Sequence, residues 1–305
     1  MSEFLPFAQP DRRLAGTGLA VSRLAWGMWR LVDEGLGARE TAKLVHAALD
    51  AGITLLDTAD IYGFDGSGGF GGAEDLLGEV LAAEPGLRAR MVLATKGGIR
   101  PPLPYDQSGA YLAGAIDASL RRLRCERIDL WQVHRPDILT HPQELARTID
   151  DACAAGKIGA IGVSNFTPPQ IDALARFLGR PLGATQPEIS ALRLDAFTNG
   201  ELDQAMAMGL AVLAWSPLGG GRLLSPRTAR EVAVADALDA VAREQGVPRA
   251  VAAMSWLMAH PAGIVPIVGS QRAGRIAEAA RALEVRWTRR DWYAVYVSAR
   301  GEPLP

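Results

Sequence analysis

Eight times along the chain a short apolar run is followed by an amphipathic stretch, and this repetition constrains the fold more than any other feature. The runs fall at residues 24–29, 54–59, 91–95, 128–133, 159–163, 184–189, 211–215 and 264–268. Helical patterns follow at 41–51, 73–83, 110–123, 142–155, 168–178, 202–208, in a longer region up to Met258, and at 275–283. Strands that read as continuous apolar runs, each followed by a helix, predict a parallel sheet covered on both faces. Eight such units fit a closed (β/α)8 TIM barrel of the α/β class. An open doubly wound sheet is the competing arrangement, but it more often has five to seven units. A hairpin is expected around residues 13–22, and a last helix within 288–301 packs across the barrel or borders its pocket. No composition break marks a second domain, so residues 1–305 are read as one barrel domain.

Charge and cysteine usage narrow the function classes. There are 32 Lys+Arg against 34 Asp+Glu, a formal charge of −2, which leaves no excess of basic side chains for a nucleic-acid backbone. Cys125 and Cys153 have neither CxxC spacing nor a histidine cluster, which argues against a disulfide scaffold or structural zinc and points to a reducing, cytoplasmic setting. The N-terminal residues lack the apolar core of a signal peptide. Residues 250–269 are nearly uncharged, but Pro261, Gly263 and Pro266 interrupt them, so they read as a buried helix and a buried strand, not a membrane span. HExxH, GxSxG and P-loop patterns are absent. His46, His141 and His260 lie in or beside helical segments and read as structural.

Two constellations compete for the chemistry. Gly66, Gly68 and Gly71 match GxGxxG, but they sit well past the strand ending near Ala59, and no acidic residue follows at the distance a dinucleotide fold requires. That loop is read as flexible glycine. The stronger signal is Asp57 and Tyr62 at the end of the second strand, Lys96 at the end of the third and His134 at the end of the fourth. Asp57 to Lys96 is 39 positions and Lys96 to His134 is 38, one strand–helix unit each time, so the four side chains can converge on the C-terminal rim. Taken singly, each has an ordinary structural use: a capping Asp, a packed Tyr, a surface Lys, a satisfied core His. Together they make a proton-transfer site. An adjacent ammonium favours phenolate, a carboxylate keeps that ammonium charged, and the imidazole can orient a substrate oxygen. The same Lys96 could instead form a Schiff base, as in barrel aldolases.

These residues resemble the aldo-keto reductases, NADP(H)-dependent carbonyl reductases on a (β/α)8 barrel, and the resemblance runs from Gly16–Ser22 to Arg275–Glu278. Gly27–Leu31, His134–Asp137 and Gly219–Leu223 are similar to a bacterial subgroup of predicted oxidoreductases. The resemblance implies Tyr62 as general acid/base, with Lys96 and Asp57 tuning it and His134 orienting the carbonyl. It implies a nicotinamide carboxamide held by Ser164, Asn165 and Gln186, a ring stacked on Trp215, and a pyrophosphate near Ser216, Leu218, the glycines 219–221 and Arg222. It also implies an adenosine 2′-phosphate held by Ser270 and Arg275, with Arg272 assisting and Glu278 beside them. NADP(H) is the expected cofactor; Gly269 and Ala279 stand where many members have Lys and Asn, which weakens a strict preference, so NAD(H) stays open. Trp29 and Phe64 lie where the family lines its substrate pocket, suiting a small apolar or aromatic aldehyde or ketone; core packing is an equal reading of Phe64. A small-molecule carbonyl or alcohol is thus the expected partner. A cofactor-bound regulatory protein with little turnover is the remaining alternative.

Overall fold

The computed structural model of the chain describes residues 4–5 and 11–305; most of the N-terminal stretch read for a leader lies outside them. A hairpin of β1 (Asp11–Arg13) and β2 (Ala20–Ser22), paired antiparallel, precedes the barrel. The barrel strands are β3 (Ala25–Gly27), β4 (Leu55–Asp57), β5 (Val92–Gly97), β6 (Ile128–Val133), β7 (Ile158–Ser164), β8 (Ala184–Gln186), β9 (Ala211–Ala214) and β10 (Val265–Val268). They run parallel in sequence order, and β10 closes the circle onto β3. The eight-unit reading is therefore the observed architecture, and the open sheet is not.

Helices α1 (Ala38–Asp50), α2 (Gly72–Ala83), α3 (Gly109–Leu123), α4 (Pro142–Ala154), α5 (Pro168–Ala175) and α6 (Glu201–Met208) follow β4's predecessor and its successors in turn. Their starts are written locally: α5 begins with Pro168 behind a Thr167/Gln170 capping box, and α4 with Pro142 behind His141, whose ring accepts from the Gln143 N–H. The expected long helical region divides into α7 (Ala229–Glu244) and α8 (Arg249–Met258). Gly246 at φ +64° and Pro248 between them explain the break. Residues 251–258 are all buried, and β10 follows α8, as the breakers at 261 and 263 predict. Among the described residues no helix is long and apolar enough to cross a membrane.

Strand β8 stops at Gln186, short of the predicted 189, because Pro187 offers no N–H to the ladder. After α9 (Ala273–Ala279) comes α10 (Arg289–Arg300), whose Trp292 stacks on Trp256 of α8 with ring centroids 5.0 Å apart. Each of these indoles donates to the other's backbone carbonyl at 3.0 Å. The last helix thus packs across the outside of the barrel.

Alternation along each strand sorts the core in two. Outward residues such as Leu56, Leu93, Trp131 and Ile161 pack against the helices. Inward residues Ala25, Leu55, Ala94, Leu130, Ala160, Ala184 and Leu213 fill the interior, and Leu14 and Val21 join them from the hairpin region. One step further toward the C-terminal end, the inward residues of β4, β5, β6 and β8 are the polar Asp57, Lys96, Gln132 and Gln186. There the site begins.

Candidate active site

Strand register sets the floor of the site. Lys96 on β5 pairs with Gln132 on β6, and Ser164 on β7 with Gln186 on β8, while Asp57 ends β4. Lys96 is fully buried, and its Nζ donates to Asp57 Oδ2 at 2.6 Å and to the Thr58 carbonyl at 2.7 Å. Asp57 Oδ1 accepts from Gln186 Nε2 at 3.0 Å and from Gln132 Nε2 at 3.2 Å. Both oxygens of this buried carboxylate thus face donors, three hydrogen bonds in all. Tyr62 lies in the turn after β4, where its N–H donates to the Ala59 carbonyl and its own carbonyl accepts from Ala73 at the start of α2. Its ring centroid is 5.0 Å from Lys96 Nζ and meets the His134 ring edge-on at 5.8 Å. The four predicted residues do converge.

Their electrostatics divide the labour. Burial drives Tyr62 above its ordinary phenol value of 10.0, although Lys96 pulls it down. The expectation that Lys96 lowers the phenol is right in sign for that one interaction, but desolvation outweighs it, and the phenol keeps its proton. Burial also works against the charge on Lys96, yet Asp57 and Tyr62 together hold it above 10.5. A charged, fully buried amine with two acceptors is a poor Schiff-base nucleophile, which removes the main physical support for that alternative. His134 is held well below 6.5 by burial first, then by Lys96 and Arg135, so the ring is neutral. A neutral imidazole carries one N–H to offer and cannot compete with Tyr62 as a cationic acid.

Beside this floor opens a cavity of about 980 Å³. Of the predicted residues, Trp29, Asp57, Tyr62, His134, Ser164, Asn165, Gln186, Trp215, Ser216, Leu218, Ser270, Arg272, Arg275 and Glu278 all line it. Lys96 lies beneath the lining. Phe64 packs edge-on against Phe70 with centroids 6.4 Å apart, and Arg222 turns to the Gly219 carbonyl and Glu231; neither is among the lining residues. No residue of α10 lines the cavity either, so of the two readings of the tail only packing holds.

The cavity also suits a dinucleotide in shape and donor set. Ser164 Oγ donates to the Gln186 carbonyl, Asn165 Nδ2 donates to Ser164 Oγ, and Trp215 Nε1 donates to Asn165 Oδ1 at 3.0 Å. Asn165 and Ser216, at φ +60° and +51°, take left-handed backbone just past β7 and β9, the strands on either side of β8, a strained conformation that clusters at binding sites. Gly220 and Gly221 line the cavity at φ +67° and +92° with open space where a Cβ would stand. A ligand could therefore approach that backbone closely. Arg272 and Arg275 are exposed to the cavity and make no ion pair among the described residues, leaving two free cations at one end. At Gly269 a Cβ would meet Trp29 Nε1 at 3.6 Å, so the indole borders the place where a side chain would begin. A nicotinamide dinucleotide fits these residues.

Sequence reasoning missed several side chains. Gln132 sits amid an apolar run and looks like core. Arg135, whose guanidinium lies 5.6 Å over the Trp215 ring, follows His134 and carries no periodic signal. Arg30 and Glu34 line the cavity, as does Asp239 with its partner Arg249, although α7 and α8 read only as a helical region. The loop glycines Gly66, Gly68 and Gly71 are not among the lining residues of the cavity; in their loop Asp65 caps its own turn by accepting from the N–H groups of Ser67 and Gly68.

A barrel with this rim is the architecture of a carbonyl-reducing oxidoreductase, and comparison with known proteins agrees. The model of the Aldo/keto reductase family matches residues 23–296. The chain is 70% identical to a 6-dehydroglucose reductase of Novosphingobium aromaticivorans over 99% of both chains. It is 39% identical to a 6-dehydroglucose reductase of Agrobacterium fabrum, over 94% of this chain and 97% of that one. A crystal structure of a thermostable aldo-keto reductase bound to the inhibitor epalrestat superposes with a TM-score of 0.82 at 21% identity, covering 95% of this chain and all of the other. The chain belongs to the aldo-keto reductase family. It is an oxidoreductase with a carbonyl reductase role on a small molecule, in a family that generally uses nicotinamide cofactors.

Proposed function

We propose that this chain reduces an aldehyde to an alcohol, or runs the reverse, with NADP(H) and with Tyr62 as the acid. The observation that carries the reading is the charged Lys96–Asp57 pair set 5.0 Å beneath a protonated Tyr62 ring at the cavity floor. In reduction, Tyr62 Oη gives its proton to the carbonyl oxygen, and Lys96 stabilises the phenolate that remains. Asp57 keeps Lys96 in place and charged. The neutral His134 offers a hydrogen bond to the same oxygen and so orients it. Bound reduced nicotinamide would supply the hydride equivalent to the carbonyl carbon. Ser164, Asn165 and Gln186 would hold its carboxamide, Trp215 would lie along its ring, and Ser216, Leu218 and the glycines would face its pyrophosphate.

Ser270, Arg272 and Arg275 favour the 2′-phosphate form, because Arg forks match phosphate oxygens and these two cations have no ion pair among the described residues. Arg222, held by Glu231, and Glu278 are assigned supporting places at the edges of that site. The sugar aldehyde 6-dehydroglucose is the substrate we assign, from the name of the 70% identical relative. Arg30, Glu34 and Arg135 in the cavity lining support it, since they suit hydroxyls better than the apolar ligand suggested by Trp29 and Phe64. The two cysteines are unpaired, in keeping with one barrel domain working in the cytoplasm.

The test is Tyr62→Phe with both cofactors. Turnover should fall by about 10²–10⁴-fold, while NADPH still quenches tryptophan fluorescence with near-native Kd and tighter than NADH. Undiminished turnover of a sugar aldehyde by the variant overturns the reading.

A further inference from the structure

Gln132 is a fully buried amide in a barrel interior whose next layer down is Leu130, Ala94 and Ala160. Nothing about the packing demands a polar residue there, and an amide without partners would destabilise the core. Both of its ends are occupied by residues of the site. Nε2 donates to Asp57 Oδ1 at 3.2 Å, and Oε1 accepts from Gln186 Nε2 at 3.4 Å. The orientation of both amides follows from chemistry. A carboxylate oxygen can only accept, so each glutamine must turn its NH2 toward Asp57.

To meet Gln186, Gln132 on β6 must reach past β7 toward β8, and β7 is open at just that level. The register partner of Gln132 on β7 is Gly162. A Cβ on Gly162 would stand 2.7 Å from Gln132 Cγ and 3.3 Å from its Oε1. Gly162 has ordinary strand geometry, so its lack of a side chain serves space and not backbone freedom. Gly162 and Gln132 therefore form one device: a gap and the side chain that crosses it.

We propose that Gln132 is a positioning residue for the proton transfer, holding Asp57 so that Lys96 is aimed at Tyr62, and that Gly162 is the opening that admits it. The inference rests on the assignment of Tyr62 as the acid. Each donor on Asp57 Oδ1 spreads the carboxylate's charge and leaves Lys96 freer to stabilise the phenolate. Without Gln132, Asp57 draws Lys96 more strongly and the phenolate form of Tyr62 becomes harder to reach. Gln186 lines the cavity and shares the same oxygen, so the cradle ties the cavity wall to the acid.

Three variants of the full chain test this, with kcat, KM and the pH profile measured in both directions and NADPH Kd by fluorescence. Gln132→Leu should lower kcat by about 10- to 100-fold, the worth of one hydrogen bond to a buried charge, with KM and Kd changed by less than about threefold. Its alkaline limb in alcohol oxidation should move to higher pH. Gln132→Glu should recover activity at low pH, where the protonated acid donates to Asp57, and lose it as the side chain ionises. Gly162→Ala should resemble Gln132→Leu and add little to it in the double variant. A loss equal at every pH, full kcat in Gln132→Leu, or simple additivity overturns the proposal. If Gln132→Leu fails to fold, the pH response of Gln132→Glu decides alone. Loss of turnover in Tyr62→Phe with native behaviour at Gln132 sinks only this inference; turnover retained in Tyr62→Phe sinks the assignment on which it rests.

Discussion

Asp57 and Asp60 stand three residues apart at the end of one strand, and both are buried, at 2% and 0% exposure. Asp57 points into the barrel and meets Lys96, Gln132 and Gln186. Asp60 belongs to the outer wall, near Glu74, which Thr95 and Arg122 already occupy. Among the described residues neither Asp60 oxygen meets a donor in full hydrogen-bond geometry; the Ile61 amide lies beside it without completing a bond. Burial first and the charge of Glu74 second hold the Asp60 carboxyl well above the usual range, against the pull of Arg122, the Ile61 amide and Lys96. The lesson is that burial alone does not make a working carboxylate. A charge persists inside a protein where donors surround it; the interior of this barrel directs donors at Asp57, while the donors of the wall are directed at Glu74 and not at Asp60.

The largest effect expected from breaking this contrast is at Lys96. Lys96→Met leaves the buried Asp57 with amide donors only, and should cost about 3–5 kcal/mol of stability, the usual loss when one member of a buried pair is removed. Urea denaturation measures it, and a loss below about 1 kcal/mol would mean that the glutamines alone suffice.

His134 gives a smaller effect that depends on pH. Its folded value lies below the unfolded 6.5, so the native state binds fewer protons and stability is lost as pH falls from 6.5 toward the folded value. Relative to His134→Gln, the native chain should weaken by up to about 1.4 kcal/mol for each pH unit in that window. Parallel unfolding curves at pH 7 and pH 5 would contradict a neutral buried ring.

Asp60→Asn should change least. Turnover should stay within about twofold, and the variant should match or exceed native stability at pH 8 by about 1 kcal/mol. The sign is opposite to that of His134. Asp60 is raised in the folded state, so the native chain binds the extra proton and gains stability as pH falls toward the unfolded value of 3.8. The gap between variant and native should therefore close on acidification. A gap that widens would place a charged Asp60 in the wall.

Much of the fold was legible because its signal is periodic. Apolar runs bounded by turn residues marked the eight barrel strands, and β6 matches its predicted limits at both ends. Boundaries slipped where backbone chemistry intervened, as at Pro187 and around Gly246. The convergence of Asp57, Tyr62, Lys96 and His134 was legible too, since one strand–helix unit separates each strand end from the next. Gln132 was not, because a single amide in an apolar run has no periodic signature and its partners lie 54 and 75 positions away. Phe64 and Arg222 illustrate the same limit. Their chain positions are beside the site, but the side chains turn to Phe70 and to Glu231.

The sequence by itself determined the eight alternations of strand and helix, their order, and which strand ends carry ionisable groups. These follow from hydrophobic period and turn chemistry, which act over a few residues. The closed structure alone decided which of those groups are charged. Whether a buried side chain ionises depends on donors brought from distant strands, and on gaps such as Gly162 through which they reach. Asp57 and Asp60 share one strand end and one residue type, and only the barrel tells them apart.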